Sequence, residues 1–207
     1  MRGRPPSISD DTILDAARAA FMEEGVGATT AGIAERAGIS ESVLFHRYKT
    51  KEALFMAVMD RAMKVSPVVE SLAARVSRGD IAEHLFEIGT AMVEDAKKTM
   101  PLFIAARMMA AASSWKLEDL QEKMKRPHPS HVQALKLFSG YFEAEMDAGR
   151  LRRVDSEILA RTFTGSVVQH VMSKFWGGTD PAGLPLSTPM FLRGLIDILL
   201  HGTLARP

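Results

Sequence analysis

The stretch that decides the fold is Thr29-Thr30-Ala31-Gly32-Ile33-Ala34-Glu35-Arg36-Ala37-Gly38-Ile39-Ser40-Glu41-Ser42-Val43-Leu44-Phe45-His46-Arg47-Tyr48. Thr29 or Thr30 can cap a short helix that runs to about Ala37, because either hydroxyl accepts from the unpaired amides of a first turn. Gly38-Ile39 makes a tight turn, and glycine supplies the left-handed conformation such a turn needs. Ser40 caps the next helix, which runs through Tyr48. Ala34 is small where the two helices must cross. Ile33, Ala37, Ile39, Leu44 and Tyr48 point inward, and Ser42, Val43, Phe45, His46 and Arg47 are left facing outward on a helix that a major groove admits. The pattern reads as a helix-turn-helix, although an ordinary helical hairpin has the same spacing.

The flanks are helical too. Ser9 caps a helix whose first turn holds Asp10 and Asp11, favourable to its dipole. Ile13, Leu14, Ala17, Ala20 and Phe21 give it one apolar stripe, and Gly25-Val26-Gly27 ends it. Thr50 caps a fourth helix from Lys51 to about Val65, striped by Leu54, Phe55, Val58, Met59 and Ala62. Beyond Ser66-Pro67, helices are expected over 67–77, 80–98, 101–114, 117–125, 131–147, 155–176 and 189–204. Breaks are expected at Arg78-Gly79, Met100-Pro101, Pro127-His128-Pro129, Gly149 and the Gly/Pro-rich stretch 177–189. No sustained strand-type alternation and no internal repeat is present. The fold class is therefore all-α: a compact N-terminal three-helix helix-turn-helix module over 1–50 and a larger C-terminal helical bundle over 51–207.

Composition narrows the function. The chain has 207 residues, 26 Lys+Arg against 25 Asp+Glu, and no cysteine. Disulfides, thiolate metal sites and cysteine nucleophiles are excluded, which fits a reducing, cytoplasmic compartment. A net charge of +1 argues against coating nucleic acid by bulk positive charge. Residues 1–60 hold 7 Lys+Arg against 9 Asp+Glu, yet 36–51 carries Arg36, Arg47, Lys49 and Lys51 against Glu41 alone. Any binding to nucleic acid should rest on this local edge. The basic N-terminus lacks an apolar run behind it, so no signal peptide is read. The longest apolar stretches, such as Leu102 to Ala106, fall short of the ~18 residues a membrane span needs. Enzyme motifs are missing as well. No Glu-x-x-His pair suits a di-iron bundle, since His84 and Glu87 give only the reversed spacing. His128 and His131 flank Pro129 in what reads as a solvated turn, without the ligand cluster a metal requires. Gly25-x-Gly27 lacks the third glycine and preceding strand of a dinucleotide loop, and no nucleophile elbow or Walker sequence occurs. No catalytic residue, metal or cofactor is expected.

The segment resembles the DNA-binding domain of the TetR family of bacterial transcriptional regulators. The resemblance rests on Ile13 through Phe21, Gly25, Thr29-Thr30, Ile33-Ala34, Ala37-Gly38-Ile39, Leu44 to Tyr48 and Lys51-Glu52-Ala53-Leu54, and is close over about 8–60. It implies that Thr30 and Lys51 contact phosphates, that Ser42 and Val43 meet base edges, and that Phe45 and His46 reach phosphates. Lys51 begins a helix, which favours an anion there independently. The sequence departs from the family pattern in places. Phe45 lacks the hydroxyl of the usual tyrosine, Arg47 offers a substitute phosphate contact, and Glu41 can accept from cytosine N4 or repel the backbone. Ahead of the module, Arg2-Gly3-Arg4-Pro5 resembles the core of an AT-hook, which lies in a narrow minor groove.

The resemblance also implies a homodimer on a palindromic double-stranded operator and a small-molecule effector bound by the bundle. The residues agree with that picture. The helix over 155–176 is apolar nearly all round, and the last helix has only a thin polar stripe of Arg193, Asp197 and His201. Pairing of two subunits through Phe163, Val167, Val171, Phe175, Leu192, Leu195, Ile196 and Leu199 would bury both. A two-fold dimer suits half-sites ~34 Å apart. Methionines and aromatics in the middle helices suit either a plain core or an adaptable apolar pocket. Its candidate lining is His84, Met92, Phe103, Arg107, Met108, Phe138, Phe142 and His170. The expected function is a repressor released from its operator by a small apolar or amphipathic effector. The competing readings are a helical ligand-sensing or scaffold dimer without specific DNA binding, and a helical enzyme.

Overall fold

The structure, a computed structural model, describes residues 8–112, 128–177 and 186–203. Every regular element among them is helical. In chain order these are α1 (Asp10–Glu24), a 3-10 turn (Gly25–Gly27), α2 (Thr30–Arg36), α3 (Glu41–Arg47), α4 (Lys51–Ala62), α5 (Pro67–Glu70), α6 (Leu72–Arg75), α7 (Ile81–Ala112), α8 (Pro129–Asp147), α9 (Ser156–Gly177) and α10 (Thr188–His201). The expected helix over 117–125 and the arm residues Arg2 and Arg4 lie outside the described residues. No described helix is long and apolar enough to cross a membrane. The chain forms two compact units, one within Met1–Lys64 and Thr99–Arg126, the other within Val65–Lys98 and Pro127–Pro207.

In the first unit, serine and threonine caps set each helix start. The hydroxyls of Ser9, Thr29, Ser40 and Thr50 accept from Thr12, Gly32, Val43 and Ala53 amides respectively. Gly38 takes φ +68° at the turn between α2 and α3. Ile13, Ala17 and Phe21 of α1, Ile33 of α2, Leu44 of α3 and Phe55 of α4 are all buried together. The Phe21 and Phe55 rings meet edge to face, centroids 5.0 Å apart. The core extends past residue 50, through Leu54, Phe55 and Val58 of α4 and on to Leu102, Ala105 and Ala106 of α7. The Thr99 hydroxyl donates to the Ala62 carbonyl at 3.3 Å, which ties the end of α4 to α7.

The second unit is built on α8 and α9. The Phe138 and Phe163 rings lie 5.4 Å apart, and Tyr141 and Phe142 are buried beside them. α10 docks on α7, where the Arg193 guanidinium sits 4.5 Å over the Phe86 ring. Gly89 permits close approach, because a Cβ there would stand 2.7 Å from Leu192 Cδ2 and 3.3 Å from Phe163. A buried polar cluster anchors the α6–α7 loop. Glu145 is fully buried, and its Oε1 accepts from the Ser77 amide at 3.1 Å. Arg150 pairs with Glu145 at 3.4 Å and donates to the Gly79 carbonyl at 2.6 Å. Ser77 holds φ +58° in that loop. Burial, then the neighbouring Glu145 charge, pushes the Tyr141 hydroxyl far above its ordinary range.

Three local expectations change. α7 runs unbroken through Pro101, where a break was expected. The missing donor and the ring clash cost about 3 kcal/mol. Val93 on one side and Leu102, Ala105 and Ala106 on the other are all buried, and that burial outweighs the cost. The helix expected over 67–77 splits at Ser71, whose hydroxyl donates to the Val68 carbonyl at 2.7 Å. His128 is not merely part of a turn. Its ring accepts from the Ser130 amide and caps α8, with Pro129 at the first helical position.

Candidate nucleic-acid interface

Helix α3 is held from below by buried Leu44 and half-buried Tyr48, whose hydroxyl burial pushes up. Glu41, Ser42, Val43, Phe45 and His46 are exposed on its outer side. Val43 and Phe45 keep 40% and 42% of their surface accessible, which is unusual for apolar residues in a small packed module. The arrangement presents a convex helix face with one methyl-bearing side chain and one aromatic ring.

Beside that face runs an open groove of about 520 Å³, lined by Thr29, Thr30, Phe45, Lys49, Thr50 and Lys51 among others. The groove brings together three residues expected to reach phosphates, Thr30, Phe45 and Lys51, from three helices. Thr50 caps α4, so Lys51 occupies its first helical position, where unpaired amides and the dipole favour an anion. Lys49 donates to the His46 carbonyl at 3.1 Å, which steadies the α3–α4 turn. The Thr30 hydroxyl donates to Glu41 Oε1 at 2.5 Å, linking the starts of α2 and α3. Ser42 Oγ lies 2.9 Å from the Ser40 hydroxyl.

Arg47 departs from expectation. It turns towards α1 and donates to Asp10 Oδ1 at 2.8 Å, rather than standing ready for a phosphate. The physical reason is the acidic load of α1. Arg61 bonds Asp15 at 2.5 Å and Asp11 at 3.4 Å, and Arg36 bonds Glu23 at 2.7 Å. Arg36 holds the Glu23 carboxyl below its usual range, chiefly through that hydrogen bond. Two of the four cations counted in 36–51 are therefore engaged with α1, and the remaining pair, Lys49 and Lys51, lines the groove. The pairing of Arg47 with Asp10 spans 37 positions, so no local signal announced it.

The expected effector residues do not form one cluster. Phe138 and Phe142 are fully buried in the second unit, rings 6.4 Å apart, as packed core. His84 Nδ1 lies 3.1 Å from the Tyr141 hydroxyl, so it serves the polar cluster rather than a cavity. Met92 is half-buried in that unit, whereas Phe103 packs on the core of the first unit and Met108 is exposed. The Arg107 side chain lies outside the described residues. His170 is buried and stacks flat on Phe191 at 4.1 Å. It also lines a small cleft of about 130 Å³ with Val93, Lys97, Val171, Lys174 and Phe175. His170 is the one expected residue found at that cleft.

The expected dimer seam needs correction. Phe163, Val167, Val171, Leu192 and Ile196 are buried within the single chain, so they have no surface left for a partner. A helix that is apolar all round gives no sequence sign of which face its own bundle takes. Phe175 stays exposed, and Leu195 and Leu199 are half-buried. The apolar residues on the outer side are Ile158, Val168, Met190 and Ile198, with Ile158 at 64% and Ile198 at 53% exposed. Ile158 and Ile198 flank a shallow cleft of about 530 Å³ where the start of α9 meets the end of α10. Among the described residues no group of acidic and imidazole side chains is placed to hold a metal.

A helix-turn-helix with an exposed second helix, carried on a helical chain, defines the class of DNA-binding regulators. Residues 13–58 match the family described as bacterial regulatory proteins, tetR family. It is 33% identical over 85 residues to the HTH-type transcriptional regulator YvkB of Bacillus subtilis, covering 40% of this chain and 42% of that one. It is 38% identical over 80 residues to the HTH-type transcriptional repressor AcnR of Corynebacterium glutamicum, covering 37% and 43%. The chain thus aligns with about two fifths of the length of the curated relatives it matches. The whole fold is similar to a TetR-family transcriptional regulator of Mesorhizobium loti, with a TM-score of 0.70, 17% identity and coverage of 92% and 94%. It is also similar to the regulator FadR of Bacillus subtilis, solved with stearoyl-CoA, with a TM-score of 0.61, 15% identity and coverage of 94% and 100%.

Proposed function

We propose that this protein is a cytoplasmic, sequence-specific repressor that binds a palindromic operator as a homodimer and leaves it when a small apolar or amphipathic effector occupies the bundle. The observation that carries this reading is the groove that gathers Thr30, Phe45 and Lys51 beside the exposed face of α3. Phosphates seated there, at the start of α4 and near Lys49, would orient α3 so that Ser42 and Val43 reach base edges, Val43 against a thymine methyl. His46 stands on the same exposed face and Arg2 and Arg4 precede α1, so both can extend the contact along the backbone. The outer apolar residues Ile158 and Ile198, with Leu199, supply the dimer seam. Val93, Val171 and Phe175 offer an apolar wall for an effector, with Lys97 and Lys174 beside them.

The test is a gel shift with the DNA upstream of the protein's own gene, repeated over a salt series. The expected result is specific binding whose affinity falls with salt on a modest slope, because few cations face the groove. Absence of specific binding at low salt overturns the assignment.

A further inference from the structure

We propose that Thr30 and Glu41 form an exchangeable pair that makes one phosphate contact conditional on one base. The proposal rests on the DNA-binding reading above and concerns how the operator is told from other DNA. In the free protein the Thr30 hydroxyl donates its single proton to Glu41 Oε1 at 2.5 Å. A threonine hydroxyl has one proton and otherwise only lone pairs, and phosphate oxygens are acceptors. While the pair is closed, Thr30 cannot donate to a phosphate. A phosphate arriving at Thr30 in the groove also meets the Glu41 charge.

Glu41 is exposed and a carboxylate has lone pairs for several donors, so the pair opens where a base amino group competes for the Oε1 that Thr30 occupies. It stands in the first turn of α3, the end of a recognition helix that approaches base edges. In the major groove the donors are the amino groups of cytosine N4 and adenine N6, while guanine and thymine edges present only acceptors there. A cytosine or adenine beneath Glu41 takes over the carboxylate, and the freed Thr30 hydroxyl turns to the phosphate. A guanine or thymine at that position leaves the pair closed and the carboxylate facing the backbone. The hydrogen-bond count balances in both states: the carboxylate keeps one donor, and the hydroxyl keeps one acceptor. Glu41 thereby acts against non-operator DNA, and Thr30 rewards only a site that has satisfied Glu41.

The experiment compares the wild type, Glu41→Gln, Thr30→Val and the double variant by fluorescence anisotropy. The probes are a duplex selected by the wild type from a random library and a random-sequence duplex of equal length. Thermal melts establish that each variant is folded, as expected for an exposed Glu41 and a half-buried Thr30 outside the module core. Glu41→Gln is expected to tighten random-duplex binding and to shrink the ratio between the two duplexes by about tenfold. Repeated selection with Glu41→Gln should lose the preference for cytosine or adenine at one half-site position. Thr30→Val should weaken the selected duplex more than the random one, and its loss should differ when Glu41 is already replaced. An unchanged ratio for Glu41→Gln, or effects of the two substitutions that simply add on the selected duplex, overturns the pair while leaving the DNA-binding reading standing. A wild type that prefers no duplex over another overturns both.

Discussion

In the N-terminal module Ile13, Phe21, Leu44 and Phe55 are buried in one core, and the exposed apolar side chains of α3, Val43 and Phe45, stand on its outer face. In the C-terminal bundle the core of Phe138, Phe142 and Phe163 is apolar too, but it has a charged neighbour. A carboxylate, Glu145, is fully buried, while Ile158, Val168, Met190 and Ile198 remain outside. The module closes its core with residues of its own chain. The bundle tolerates a buried charge because Arg150 and the Ser77 amide answer it, and it keeps apolar surface that a second copy can cover. The difference fits two tasks under the proposed function: a module that holds the shape of one helix, and a bundle that keeps a surface for a second copy.

Stability measurements test this contrast most strongly. Phe55→Ala should cost about 3–5 kcal/mol in urea unfolding, since it empties the centre of the module core. Ile158→Ala in the bundle should change monomer stability by no more than about 0.5 kcal/mol. Comparable losses from the two would erase the distinction. The next effect concerns association. Ile198→Glu should weaken the dimer by about 2 kcal/mol or more, seen by sedimentation velocity, with the helical circular dichroism retained. A dimer that persists would move the seam elsewhere on the bundle. The smallest effect divides the cations of the module. Lys51→Ala should weaken operator binding by about 1 kcal/mol and lower the salt slope by about one. Arg47→Ala should leave that slope unchanged and cost about 0.5 kcal/mol of stability, because its partner is the exposed Asp10.

How much of this was legible in the sequence depended on the range of the cause. Ser40, Gly38 and the Ile33–Leu44 spacing act within a few residues, so the helix-turn-helix and its caps could be read directly. Thr30, Phe45 and Lys51 were singled out only through the family resemblance, and that they line one groove depends on how three helices pack, which no local pattern shows. Arg47 was misplaced because its partner lies in α1, and Glu41 was read against DNA bases without Thr30 in view. Pro101 is a strong local stop, overruled by burial on both sides of it. α9 carries apolar residues on every face, so periodicity could not assign Phe163 and Val167 to the chain's own core. Nothing local marks Glu145 as buried, since a glutamate on a helix is ordinarily solvated.

Gly89 carries a consequence for variation in this chain. The position offers no room, because the first atom of any side chain would press on Leu192, itself fully enclosed. An alanine there is a trivial change by composition and helical preference, yet it would oblige the end of the Leu192 side chain to give way within a closed core. Position 89 is therefore coupled to 192 and 163, whereas the exposed residues of α10 can vary one by one.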